Sequence, residues 1–230
     1  MLTKIKSGLV VSCQALEDEP LYGADIMKRM ADAAKRGGAV AIRANGVADI
    51  RAIKEYVNLP IIGIIKKEYE DSDVYITPTL QEVNQLVALD IDLIAVDATD
   101  RIRPGGLDLE TFMYEIKSRY PNQKWMADCA TLEECIRAEQ LGFHCVATTL
   151  HGYTGQTAGQ KLYHHDFQFL RDVAAHVKVP VVAEGNIMTP EMAAHVLTYG
   201  AHAVVVGGAI TRPQQITARF VQEMQSVQQG

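Results

Sequence analysis

Five of the apolar runs in this chain close on a charged residue. Lys66 and Lys67 end PIIGIIKK, Arg43 ends AVAIRA apart from its last alanine, and Asp97, Asp128 and Glu184 sit late in LIAVDAT, KWMADC and VPVVAEGNI. Gln14 and Thr149 hold similar places in GLVVSCQ and CVATTL. Burying unpaired charge is costly, so a purely structural sheet has no use for such a set. A lysine that is desolvated or lies beside an arginine falls from about 10.4 toward the neutral range of a general base. Small residues stand at two further places, Gly185 in AEGNI and Gly207-Gly208 in VGGAI, with Arg212 just beyond. Backbone N–H groups at such loops can approach an anion, and phosphate is the chemistry this suits.

The elements that must position these residues alternate. Eight β-rich runs (8–14, 39–44, 60–67, 93–99, 124–129, 145–150, 179–187 and 203–210) are separated or followed by segments of helical period. Those segments are 22–36, 47–56, 79–89, 109–120, 132–141, 167–176, 190–198 and 213–225. Near-continuous apolar strands between helices imply parallel strands covered by helices. Eight such units in 230 residues fit an α/β fold, a (β/α)₈ TIM barrel forming a single domain over 1–230. An open doubly wound sheet would usually carry a glycine-rich fingerprint after its first strand, where this chain has Gln14-Ala15-Leu16-Glu17. The polar tail from Gln222 to Gly230 is expected to fray.

A barrel of this kind carries its site at the carboxyl ends of its strands. Period-two alternation then predicts which late residues face inward. Leu9, Val11, Val40, Ile42, Trp125, Val181 and Ala183 are assigned outward, and Ser12, Gln14, Arg43, Met126, Asp128, Val182 and Glu184 inward. In the third strand isoleucines occupy both parities, so the pattern does not choose between Lys66 and Lys67.

Composition narrows the function. Apolar residues make up 48% and charged residues 22%, with a net charge of −6, which argues against nonspecific binding to nucleic acid or anionic membranes. No apolar stretch approaches the roughly 20 residues of a membrane span, and no leader is visible, so the cytoplasm is the expected compartment. Cys13, Cys129, Cys135 and Cys145 form no CxxC pair and read as buried thiols. His151, His164 and His165 match no metal-binding spacing.

Several segments together resemble the N-acylmannosamine-6-phosphate 2-epimerases: GLVVSCQA at 8–15, IIGIIKKEYEDSDVYITPT at 61–79 and DATDRIRPGG at 97–106. MADCATLEE at 126–134, TTLHGYTG at 148–155 and PVVAEGNI at 180–187 complete the likeness, which runs in order along essentially the whole chain. The resemblance implies conversion of N-acetylmannosamine 6-phosphate to N-acetylglucosamine 6-phosphate in sialic acid breakdown, with no metal or nucleotide cofactor, by a homodimer. It also implies that Lys66, the first of the KKE pair, is catalytic with Glu184, and that Arg43 and Asp128 meet the substrate. Gln14 and Thr149 join them as candidate sugar contacts, and Gly185, Gly207, Gly208 and Arg212 as the candidate phosphate site.

Epimerising C2 of an aminosugar means removing a carbon-bound proton and returning one to the opposite face. In the open chain C2 lies beside the C1 aldehyde, so deprotonation gives an enolate, whose charge needs fixed donors. The same lysine suits a second reading, a Schiff-base aldolase or lyase acting on a sugar phosphate. A non-catalytic sugar-phosphate sensor is the third, and would not need both Lys66 and Glu184.

Overall fold

In the computed structural model, which describes residues 1–228, eight parallel strands close into a barrel in chain order. They are β1 (Leu9–Cys13), β2 (Ala41–Asn45), β3 (Ile61–Ile64), β4 (Leu93–Asp97), β5 (Trp125–Asp128), β6 (Cys145–Ala147), β7 (Val181–Glu184) and β8 (Ala203–Val206). β8 pairs back onto β1 through Leu9↔Val204, Val10↔Val205 and Val11↔Val206, which removes any free sheet edge. A short α1 (Leu2–Ile5) precedes β1, and α2 (Ala24–Arg36), α3 (Val47–Tyr56), α4 (Leu80–Val87), α5 (Leu109–Arg119) and α6 (Leu132–Gln140) follow successive strands. α7 (His164–His176), α8 (Pro190–Thr198), α9 (Gly208–Thr211) and α10 (Pro213–Gln228) complete the chain. This is the (β/α)₈ TIM barrel that the alternating runs imply.

Local chemistry starts several helices where the sequence says. Thr79 and Thr131 each accept from the first turn, while Glu82 and Glu134 reach back to the cap N–H, forming two capping boxes. Thr189 caps α8 ahead of Pro190. α1 and α9, four residues each, are too short to leave a periodic signal. α10 continues to Gln228, past the point where fraying is expected, and residues 229 and 230 lie outside the described chain.

The core forms two layers. Val11, Ile42, Trp125, Val181 and Ala183 face the helices, whereas Val10, Ala41, Met126 and Val182 fill the barrel interior, as alternation requires. Val40 departs from it: it precedes β2 and packs against the interior cluster near Gly8 instead of toward the helices. In β3 the deciding residue is Gly63. A Cβ there would lie 2.2 Å from Ile91 Cδ1 and 3.2 Å from both Ile50 Cδ1 and Leu86 Cδ2, so helix-side residues press directly on its backbone. Ile62 and Ile64 consequently point inward, and Lys66 continues their stripe.

Beyond β3 the chain folds back as a hairpin. Thr77 N–H donates to Ile65 O and Lys67 N–H to Tyr75 O, and Lys66 bridges Ile76. This excursion brings Tyr75 and Ile76 over the barrel mouth.

Candidate active site

One cavity of about 370 Å³ opens at the carboxyl ends of the strands. Gln14, Arg43, Lys66, Thr149 and Glu184 line it. So do Gly185, Gly207, Gly208 and Arg212, together with Tyr75 and Asn186, which the sequence does not single out. Asp128 lies one layer deeper and is fully buried. Its carboxylate meets Arg43, with Nη1–Oδ1 at 3.1 Å and Nη2–Oδ2 at 2.6 Å, so it acts on the cavity through that arginine and makes no wall of it.

Arg43 ties the site together. Nη1 also donates to Glu184 Oε2 at 2.8 Å, and Thr149 Oγ1 donates to Asp128 Oδ1 at 2.7 Å while lying 3.2 Å from the same Glu184 oxygen. One Glu184 oxygen is thus fixed from two sides and the other is left to the cavity. Burial opposes the charge of Arg43, but Asp128 and Glu184 hold its pKa above the ordinary value. With both terminal nitrogens taken up by carboxylates, Arg43 serves as a fixed cation and brace.

Lys66 stands differently. Its N–H is anchored on Asn45 Oδ1 at 2.8 Å, and its amine has no partner among the described residues. Burial, then the charges of Arg43 and Arg212, bring it down to about 8 against the pull of Glu184 and Asp128. Burial pushes Glu184 the other way, up to about 7, reinforced by Asp128 and opposed by Arg43. Lys67 turns outward to Glu82 at 3.5 Å and over the Tyr69 ring, which leaves Lys66 as the amine of the mouth. Asp97 also leaves the site: its oxygens take Thr99 and Arg101, tying the loop after β4.

The side of the cavity at β7 and β8 is built from backbone. Gly185 has φ +110° and Asn186 φ +53°, so the chain turns through the left-handed region where β7 ends. Ile210 and Thr211 N–H close back on Gly207 O, leaving the first N–H groups of α9 outside its hydrogen bonds. Two polar atoms of the wall, Gln14 Oε1 and Asn186 Nδ2, are buried without a partner. Gln14 Nε2 is used on Ser12 Oγ at 2.7 Å, so its free end is an acceptor.

Among the described residues no three His, Cys, Asp or Glu side chains gather as a metal-binding group. His151 stacks on Phe169 at 4.1 Å and bonds Ala130 O, away from the cavity. All four cysteines are buried free thiols. No helix among the described residues is long and apolar enough to cross a membrane.

Residues 27–226 match the family model described as "Putative N-acetylmannosamine-6-phosphate epimerase". A relative from Enterobacter sp. (strain 638), named "Putative N-acetylmannosamine-6-phosphate 2-epimerase", is 59% identical over 96% of this chain and 94% of its own. One of the same name from Oceanobacillus iheyensis is 53% identical over 96% and 100%. The structure of the N-acetylmannosamine-6-phosphate 2-epimerase from Clostridium perfringens superposes with a TM-score of 0.91 at 53% identity, covering 96% of this chain and 95% of that one. A thiamine phosphate pyrophosphorylase from Pyrococcus furiosus, at 20% identity and a TM-score of 0.60, shares the fold alone. With a family model over most of its length and relatives identical at more than half their positions, this chain belongs to the N-acetylmannosamine-6-phosphate epimerase family.

Proposed function

We propose that the cavity converts N-acetylmannosamine 6-phosphate to N-acetylglucosamine 6-phosphate, with Lys66 and Glu184 exchanging protons at opposite faces of C2. The observation that carries this reading is geometric: the Lys66 amine, without a partner among the described residues, and the Glu184 carboxyl, held through only one of its oxygens, share one cavity. Burial there brings the amine down to about 8 and the carboxyl up to about 7. In the open-chain sugar the neutral Lys66 amine takes the C2 proton, and the electron pair moves onto the aldehyde oxygen as an enolate. Glu184, in its acid form, returns a proton to C2 from the other face, and the enolate reverts to the aldehyde. Lys66 is then ammonium and Glu184 carboxylate, and passing one proton between them restores the starting pair. The new ammonium also faces the enolate charge, where Arg43 adds a second fixed cation.

Gln14, Arg43, Asp128 and Thr149 hold the reacting groups and the sugar, and the free acceptor of Gln14 suits a hydroxyl or amide N–H. The phosphate is assigned to the backbone at Gly185, Gly207 and Gly208, with Arg212 beside it, since small residues and first-turn N–H groups favour an anion. A place in sialic acid breakdown and a cytoplasmic location complete the reading, and four reduced, buried cysteines suit that compartment.

The homodimer belongs to the same proposal. Phe220, Val221, Met224 and Val227 expose apolar side chains along α10, and an apolar groove lies between α8 and the strands β8 and β1. Light scattering of the intact chain gives twice the monomer mass on this reading, and a monomer for Phe220→Asp/Met224→Asp.

The chemistry is tested by adding N-acetylmannosamine 6-phosphate and following the product by NMR, with and without borohydride. Epimerisation with no borohydride-trapped adduct supports proton transfer. An irreversible adduct on Lys66 supports the lyase reading instead.

A further inference from the structure

Arg212 is held by a residue outside the constellation described so far. Glu19, on the loop between β1 and α2, accepts from Arg212 Nε at 2.7 Å and from Nη2 at 3.1 Å, and Leu16 N–H donates to the same carboxylate at 2.7 Å. Three donors therefore fix both Glu19 oxygens. The Nε–Nη2 edge of the guanidinium is spoken for, and Nη1 has no partner among the described residues. Both side chains are about three-quarters buried, at 25% and 22% exposure.

Such a pair contributes little stability while solvent still reaches it. It also carries an electrostatic cost, because a carboxylate beside an anion site cancels part of the charge that attracts the anion. Against the pull of burial, Arg212 and the Leu16 N–H hold Glu19 below the ordinary carboxylate range, so that charge persists at neutral pH. What the pair supplies is orientation. A bidentate fork removes the freedom of a long side chain that enters the cavity beside Gly208.

We propose that Glu19 is a positioning residue, pinning Arg212 so that its remaining N–H edge meets the substrate phosphate. The inference rests on the phosphate placement proposed above. It is tested with Glu19→Ala, Glu19→Gln, Arg212→Ala and the Glu19→Ala/Arg212→Ala double variant. The readouts are kcat and KM for N-acetylmannosamine 6-phosphate and competitive inhibition by inorganic phosphate, with thermal melts to verify folding.

Glu19→Ala should raise KM and the phosphate inhibition constant together by about tenfold, with kcat within about twofold. Glu19→Gln, which keeps one acceptor for Arg212 but sets an amide N–H against a second donor, should recover only part of that loss. In the Arg212→Ala background, removing Glu19 should change either constant by less than about twofold. A KM that stays level or falls in Glu19→Ala would mean that the carboxylate competes with phosphate, and overturns the proposal. An equal loss with or without Arg212 would also overturn it, since Glu19 would then act on the loop. If Arg212→Ala itself moves neither constant, the phosphate placement fails first and this inference with it.

Discussion

The two halves of the barrel interior are made by the same strands and the same inward parity, yet they are opposites. Toward the amino ends, Val10, Ala41, Ile62, Leu93, Met126, Val182 and Ala203 form an apolar plug closed from below by Ile5. Following each stripe toward the carboxyl end, β2 passes from Ala41 to Arg43, β5 from Met126 to Asp128 and β7 from Val182 to Glu184. β3 passes from Ile62 and Ile64 to Lys66. Two residues of strand, about 7 Å, separate side chains whose burial drives folding from side chains whose burial opposes it. The contrast explains how charges can be held nearly dry: the lower plug supplies the stability, and the upper ring spends some of it on pKa values near neutrality.

If that division is right, the two halves respond to substitution in different observables. Lys66→Ala should give the largest effect, a loss of about 10³-fold or more in kcat. Its melting temperature should hold or rise, because the burial of an amine that Arg43 and Arg212 also repel is relieved, against the smaller pull of Glu184 and Asp128. A large drop in stability would place Lys66 in the structural half. Ile62→Ala should do the reverse, costing about 2–5 kcal/mol in denaturant unfolding while KM stays close to wild type.

Arg212→Ala should be milder, raising KM about tenfold and leaving kcat nearly unchanged, as expected for binding shared by ground and transition states. The smallest effect concerns pH. Lys66 gains its base form as pH rises through about 8, and Glu184 loses its acid form as pH rises through about 7. The active state carries one proton between them, so kcat/KM should form a narrow bell centred between 7 and 8. In any residual activity of Glu184→Gln the carboxyl limb should vanish. The lysine limb should then move below 8, since Glu184 normally pulls Lys66 upward.

How much of this is visible in the sequence depends on whether one strand or several segments decide it. Arg43, Asp128 and Glu184 are legible because bulky residues fall on one parity of β2, β5 and β7, and a strand allows only two directions. β3 is illegible for the same reason in reverse. Isoleucine occupies both parities, and the tie is broken by Ile91, Ile50 and Leu86 pressing on Gly63, a tertiary fact. The depth of Asp128 beneath Arg43 depends on a pairing across 85 residues. Glu19 lies in a nonperiodic loop and acquires meaning only by meeting Arg212, 193 positions away. Tyr75 enters the mouth through the hairpin after β3, whose strand-like residues read as the end of one strand and a loop. Small-residue loops after β7 and β8 are readable as an anion site, but the left-handed turn at Asn186 leaves no periodic mark.

The central claim, two groups working on opposite faces of one carbon, is tested most directly by C2 proton exchange. Each epimer is incubated in D₂O with wild-type, Lys66→Ala and Glu184→Gln enzyme, and the C2 signal is followed by ¹H NMR. Deuterium should appear at C2 of both epimers with wild type, and none in N-acetylmannosamine 6-phosphate with Lys66→Ala. Glu184→Gln should give exchange without epimerisation from that epimer. Exchange that survives in Lys66→Ala and disappears in Glu184→Gln would contradict the claim.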